Sequence, residues 1–176
     1  PLVSSFCPDH CLVLHSFSKF IAPGMRLGLV TGKETWIKAL IKVKQAADLH
    51  TNTPMQALLL DVLTHADFTL HKEALVERYR KRYEYMAETI DQMIPQYATF
   101  ESVQGGMFIW LKLPTCDTYK LAEHALKQAV AVVPSKVFYH RSQAQPSALR
   151  LNFSHCSETD IEIGLERLAQ SIKLFC

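Results

Sequence analysis

The chain has 176 residues, 48% of them hydrophobic and 20% charged, and a net charge of +2 from 19 basic and 17 acidic side chains. That balance excludes a disordered tail or low-complexity linker and gives no electrostatic footprint for nucleic acid or an anionic membrane. No run of eighteen apolar residues is present to form a transmembrane helix, and residues 1–6 lack the basic and apolar regions of a signal peptide. A chain of this length can bury about 70% of its unfolded surface, so its core needs neither metal nor disulfide. It starts at Pro1, without an initiator Met.

The first apolar run, residues 11–16, reads as a short buried strand. Cys7, His10, Cys11 and His15 are all zinc-ligand types within nine residues. Strand alternation, however, puts only Cys11 and His15 on one face, and a buried Cys behaves as a small hydrophobe. The strand reading is preferred and no metal is expected. The five cysteines (Cys7, Cys11, Cys116, Cys156 and Cys176) are odd in number, irregularly spaced and without a Cys-x-x-Cys pair. They predict a reduced, cytoplasmic chain.

Pro23-Gly24 marks a loop, and Arg26 to Val30 reads as a second strand closed by Thr31-Gly32. Trp36, Ile37, Leu40, Ile41 and Val43 predict a helix over 33–49. Pro54 suits the first turn of the next helix, 55–66, whose many leucines predict burial on most sides. A long helix follows over roughly 70–94, with Leu75, Tyr79, Tyr83, Met86, Ile90 and Met93 at helical spacing. Its Arg78 to Arg82 basic run is interleaved with Glu73, Glu77, Glu84 and Glu88, the pattern of a solvated face rather than a nucleic-acid site. Beyond residue 97 the period changes. Strands are predicted over 99–103, 107–113, 130–133 and 149–153, with a helix over 118–129. A last helix runs to about 173, opened by Ser157 and Asp160 as a capping box.

The segment Ser16-Phe17-Ser18-Lys19-Phe20-Ile21-Ala22-Pro23-Gly24-Met25-Arg26-Leu27-Gly28 concentrates chemistry. It places one lysine after a strand, with two hydroxyls beside it, two aromatics flanking it and an arginine seven residues on. A lysine nucleophile needs a dry setting and a nearby cation. Hydroxyls, turn N–H groups and a forked arginine suit a phosphate. The alternative is an ordinary loop with a solvated lysine.

Ser-x-Ser-Lys followed by Ala-Pro-Gly-x-Arg-x-Gly resembles the cofactor-lysine segment of fold-type-I pyridoxal-phosphate-dependent aminotransferases, class I/II, in the aminoadipate, kynurenine and aromatic branch. Three further stretches match in order: Lys44 to Thr51 with Gln56, Gly105-Gly106-Met107-Phe108-Ile109-Trp110, and Leu149-Arg150-Leu151-Asn152-Phe153-Ser154. The resemblance implies an α/β fold, the C-terminal part of such an enzyme. Residues 1–66 would be a remnant of the large cofactor-binding domain, carrying the Schiff-base lysine, and 67–176 a small α+β domain. It implies pyridoxal 5'-phosphate as cofactor. Lys19 is then the catalytic residue, joined to the cofactor aldehyde and later acting as acid and base. Ser16, Ser18 and Arg26 are phosphate ligands, and Arg150 binds the substrate α-carboxylate. Asn152 is taken as structural.

The implied activity transfers an amino group between an α-amino acid and a 2-oxo acid, in a homodimer. The cofactor contacts that the family draws from upstream of the lysine have no counterpart here, so the chain by itself is expected to bind cofactor weakly and not to turn over. The alternative is the aminotransferase-like effector domain of a GntR/MocR-type transcription regulator, which keeps the same lysine segment. Ser135 stands where the family usually has glycine. If that turn needs a positive φ, serine there is strained.

Overall fold

A computed structural model describes residues 2–140 and 146–176. The chain forms two compact units, Pro1–Leu75 and Val76–Cys176.

In the first unit, strand β1 (Leu12–Ser16) pairs antiparallel with β2 (Gly28–Gly32), from Leu12 opposite Gly32 to Ser16 opposite Gly28. Helices α1 (Glu34–Asp48) and α2 (Thr53–Thr64) follow. Asn52 caps α2 by accepting from the Met55 N–H, and Pro54 sits in its first turn, where a missing N–H is harmless. The core is small: Phe17, Leu27 and Leu59 are buried, with Ile21, Met25, Met55 and Leu63 packed around them.

Two expectations fail here. β1 is mostly exposed, with Leu14 77% accessible, and α2 buries only Leu59 while Leu60 is 63% accessible. Apolar patterning reports which faces favour cover, and two strands with two helices cannot cover all of them.

Helix α3 (Phe68–Met93) runs into the second unit. There β3 (Phe108–Lys112), β4 (Val133–Pro134) and β5 (Ala148–Asn152) form an antiparallel sheet in the order β3-β5-β4. Ile109, Leu111, Leu149 and Leu151 alternate onto its buried face. They meet Met86 and Ile90 of α3, Leu121 of α4 (Thr118–Lys127), and Ile161, Leu165 and Leu168 of α5 (Glu158–Phe175) in one core.

The expected strand over 99–103 reduces to one bridge, in which Thr99 exchanges both backbone hydrogen bonds with Lys112 at 3.0 and 2.7 Å. The chain then leaves the sheet, and the Val103 N–H goes to the Tyr83 hydroxyl at 3.1 Å instead of to a strand. The strand expected over 130–133 begins only at Val133. No helix among the described residues is long and apolar enough to cross a membrane.

The cysteines correct a further expectation. Cys116 and Cys176 are joined in a disulfide, with Cα atoms 4.7 Å apart, while Cys7, Cys11 and Cys156 are free thiols. A wholly reduced chain was expected from spacing alone, and a bridge across 60 residues depends on tertiary proximity that spacing does not report. Closing a loop of that length removes about 4 kcal/mol of unfolded-chain entropy in the simple polymer estimate. Reductant should therefore lower the thermal midpoint of the wild-type chain, and a Cys176→Ser variant should start low and not respond. Calorimetry with and without dithiothreitol checks this.

The N-terminus of α5 carries the predicted capping box. Ser157 Oγ accepts from the Asp160 N–H at 3.2 Å, and the Asp160 carboxylate accepts from Ser157 N–H at 3.1 Å and Oγ at 2.6 Å. The hydrogen bonds from Ser157 hold the Asp160 carboxyl below its usual value of 3.8. A depressed folded value contributes stability that is present above 3.8 and is lost as pH falls through the folded value. The gap in thermal midpoint between wild type and Ser157→Ala should thus be largest near neutrality and shrink as the solution is taken below that value, in parallel melts across pH.

Candidate active site

β1 ends at Ser16, whose Oγ accepts from the Ser18 N–H at 3.4 Å and so caps a single 3₁₀ turn, Phe17–Lys19. The turn is anchored from below. The Phe17 ring is buried, packs on Phe20 at 5.7 Å, and its N–H donates to the Leu27 carbonyl at 3.4 Å. A second 3₁₀ turn, Pro23–Met25, leads to Arg26 in the left-handed region at φ 55°. Arg26 is followed at once by buried Leu27.

Two buried anchors, Phe17 and Leu27, therefore hold a loop on which Ser16, Lys19 and Arg26 are exposed and Ser18 is half-buried. Gly28 completes the arrangement, because a Cβ there would lie 3.1 Å from the His15 carbonyl oxygen and crowd the β1–β2 pairing. Neither Lys19 nor Arg26 meets a carboxylate among the described residues; Arg26 makes only a long contact, 3.5 Å, to the Pro23 carbonyl. Two cations and two hydroxyls, unneutralised, suit an oxyanion, and an amine on the same loop can add to a carbonyl carbon.

The segment after α1 has structural work of its own. Lys44 pairs with Asp48 one turn on at 2.8 Å, and Gln56 Nε2 donates back to the Thr51 carbonyl at 3.0 Å, bracing the break between α1 and α2. Among the described residues no three His, Cys, Asp or Glu side chains group to hold a metal.

In the second unit, Arg150 lies in β5, the central strand, opposite Trp110 of β3 and Val133 of β4. The guanidinium carbon sits 4.2 Å from the Phe108 ring centroid and 4.8 Å from that of Phe138. Trp110 packs edge-on against Phe138 at 5.6 Å. The half-buried cation is held between two aromatic faces, with no carboxylate partner among the described residues. Such a fork is free to take an external carboxylate.

Phe108 and Phe138 escaped the sequence reading as site residues. The Phe108/Trp110 alternation was the available signal, since it puts both rings on one face of β3. Asn152 Oδ1 accepts from the Ser154 N–H and Oγ, both at 2.8 Å, and closes the turn after β5. The turn at Ser135 does not need a positive φ, so serine is unstrained there. It is not among the positive-φ residues, and its buried hydroxyl donates to the Pro146 carbonyl at 2.8 Å and accepts from the Ala148 N–H at 3.2 Å, fixing the start of β5.

A family model described as aminotransferase class I and II matches residues 6–168. Aromatic-amino-acid aminotransferase 1 of Thermococcus litoralis is 32% identical over 163 residues, covering 92% of this chain and 39% of that protein. The multiple substrate aminotransferase of Thermococcus profundus superposes with a TM-score of 0.86 at 34% identity, over 93% of this chain and 40% of that one. The α-aminoadipate aminotransferase of Thermus thermophilus, solved with N-(5'-phosphopyridoxyl)-L-leucine, gives 0.84 at 30% identity over 92% and 41%. A more distant relative, 26% identical over 165 residues and 34% covered, is an HTH-type transcriptional regulator of Bacillus subtilis. The chain spans about two fifths of the length of the first-named relatives. It belongs to the class I and II aminotransferases, the pyridoxal-phosphate-dependent transferase family.

Proposed function

We propose that this chain is the lysine-bearing part of an enzyme that transfers an amino group between an α-amino acid, of the aminoadipate or aromatic kind, and a 2-oxo acid. The observation that carries this reading is the Ser16–Gly28 loop, which presents an amine, two hydroxyls and a guanidinium with no acid among the described residues to neutralise them. That donor set fits pyridoxal phosphate: a dianionic phosphate for Ser16, Ser18 and Arg26, and an aldehyde for Lys19. Ser16 Oγ uses one lone pair on the Ser18 N–H and keeps its own O–H to donate. When bound, the cofactor supplies an electron sink for the pair left at the substrate α-carbon.

The residues of this chain supply the rest. Arg150 takes the α-carboxylate in a bidentate pair and so orients the α C–H bond. Lys19 Nζ, as a free amine, removes the proton from that α-carbon and later returns one. We assign residues 1–66 to the large-domain remnant and 67–176 to the small domain, and the working state to a homodimer. In the full-length protein, incubation with aminoadipate or an aromatic amino acid plus a 2-oxo acid should yield the amino acid matching the oxo acid. No exchange with any α-amino acid would overturn the reading.

The regulator relative favours a second reading, an effector domain that senses the cofactor. It predicts instead that the full-length protein retards duplex DNA in a pyridoxal-phosphate-dependent way and shows no exchange.

A further inference from the structure

Two of the three free thiols lie against each other. Cys7 and Cys11 flank the Pro8–His10 turn, and their sulfur atoms are 3.5 Å apart. The turn is fixed at both ends. The His10 N–H donates to the Cys7 carbonyl at 3.1 Å, the Cys11 N–H reaches the Pro8 carbonyl at 3.5 Å, and Pro8 has its φ locked by its ring. A bonded pair of sulfurs stands about 2.05 Å apart, so closure asks the two sulfurs to approach by roughly 1.5 Å. Both residues are half-buried rather than sealed, so a small reagent reaches them.

No third ligand joins them in a metal set among the described residues. Cys156 is a free thiol without a described sulfur neighbour, and Cys116–Cys176 is already closed. The hydrogen bond between the two sulfurs pushes the Cys11 thiol above its usual value, as expected where one sulfur holds a proton against the other.

We infer that Cys7 and Cys11 are a reversible redox pair that closes to an intramolecular disulfide by exchange with a small-molecule disulfide such as oxidised glutathione. One thiolate attacks a glutathione sulfur, forming a mixed disulfide and releasing one glutathione thiolate. The second thiolate attacks the protein-side sulfur of that bond and releases the other. The protein loses two hydrogens and oxidised glutathione becomes two reduced molecules. The pair sits at the entry to β1, the strand that leads to Lys19.

The test is peptide mapping of the purified 176-residue chain equilibrated in glutathione buffers from reducing to oxidising, quenched in acid and alkylated. Residues 1–19 form a single tryptic peptide that holds both cysteines. It should be doubly alkylated in reducing buffer, and unalkylated and lighter by two hydrogens in oxidising buffer. Cys7→Ser, which cannot close the ring, should accumulate one glutathione on Cys11. A wild-type peptide that stays doubly alkylated in a sample where Cys156 has taken glutathione would overturn the proposal. So would a wild-type peptide carrying glutathione on both sulfurs.

Discussion

Lys19→Ala in the full-length protein should lower kcat for amino-group transfer by about 10⁴-fold or more. One amine serves twice in the proposed chemistry, as the group that joins the cofactor aldehyde and as the base at the substrate α-carbon. Alanine removes both roles at once. Lys19→Arg should be nearly as inactive, because a guanidinium keeps its proton at working pH and can be neither nucleophile nor base. The folded state should be indifferent to either change. Lys19 is exposed and has no acidic partner among the described residues, while the turn beneath it is held by Phe17 and by the Ser16 cap. Thermal midpoints equal to wild type, together with the loss of turnover, separate chemistry from misfolding. A Lys19→Ala enzyme that retained a tenth of wild-type kcat would contradict the assignment.

Arg150→Lys should raise KM for amino and oxo acids together by about 10- to 100-fold, the worth of one charge-assisted fork at about 1.5–3 kcal/mol, with a smaller change in kcat. Lysine keeps the charge but offers a point donor where the carboxylate needs two parallel ones. The two rings give a finer check. Phe138→Leu removes one aromatic face from the guanidinium, at 4.8 Å, and should raise KM by about three- to tenfold, while Phe138→Tyr should stay near wild type. A merely structural role for Phe138 would move the thermal midpoint and leave the ratio of KM to kcat alone. Steady-state kinetics on the three variants, with melts alongside, tell the two apart.

The Ser16–Gly28 segment was legible because its chemistry is local. The strand end, the hydroxyl cap, Pro23 and the two glycines are all close neighbours in sequence, and the structure assembles them as one loop between β1 and β2. The capping box at Ser157 and Asp160 was legible for the same reason. Helix periods located α1, α3, α4 and α5 to within a few residues.

What was not legible depends on distance along the chain. The leucines of α2 ask for cover, but their period does not say which element covers them, and in this unit Leu58 and Leu60 stay exposed. Ser135 looked like a faulty glycine. Its hydroxyl instead bridges to Pro146 and Ala148, eleven and thirteen residues on, which no local rule anticipates. The Phe108–Arg150–Phe138 sandwich needs three separate segments in register, and the Cys116–Cys176 bridge needs α5 to return to the loop after β3.

The most direct test of the central assignment is chemical trapping in the full-length protein. Incubation with pyridoxal phosphate, reduction with borohydride and tryptic mapping should place a phosphopyridoxyl group on Lys19, and the label should vanish in Lys19→Ala. A label carried by any other lysine, or none in a protein that transfers amino groups, would contradict it.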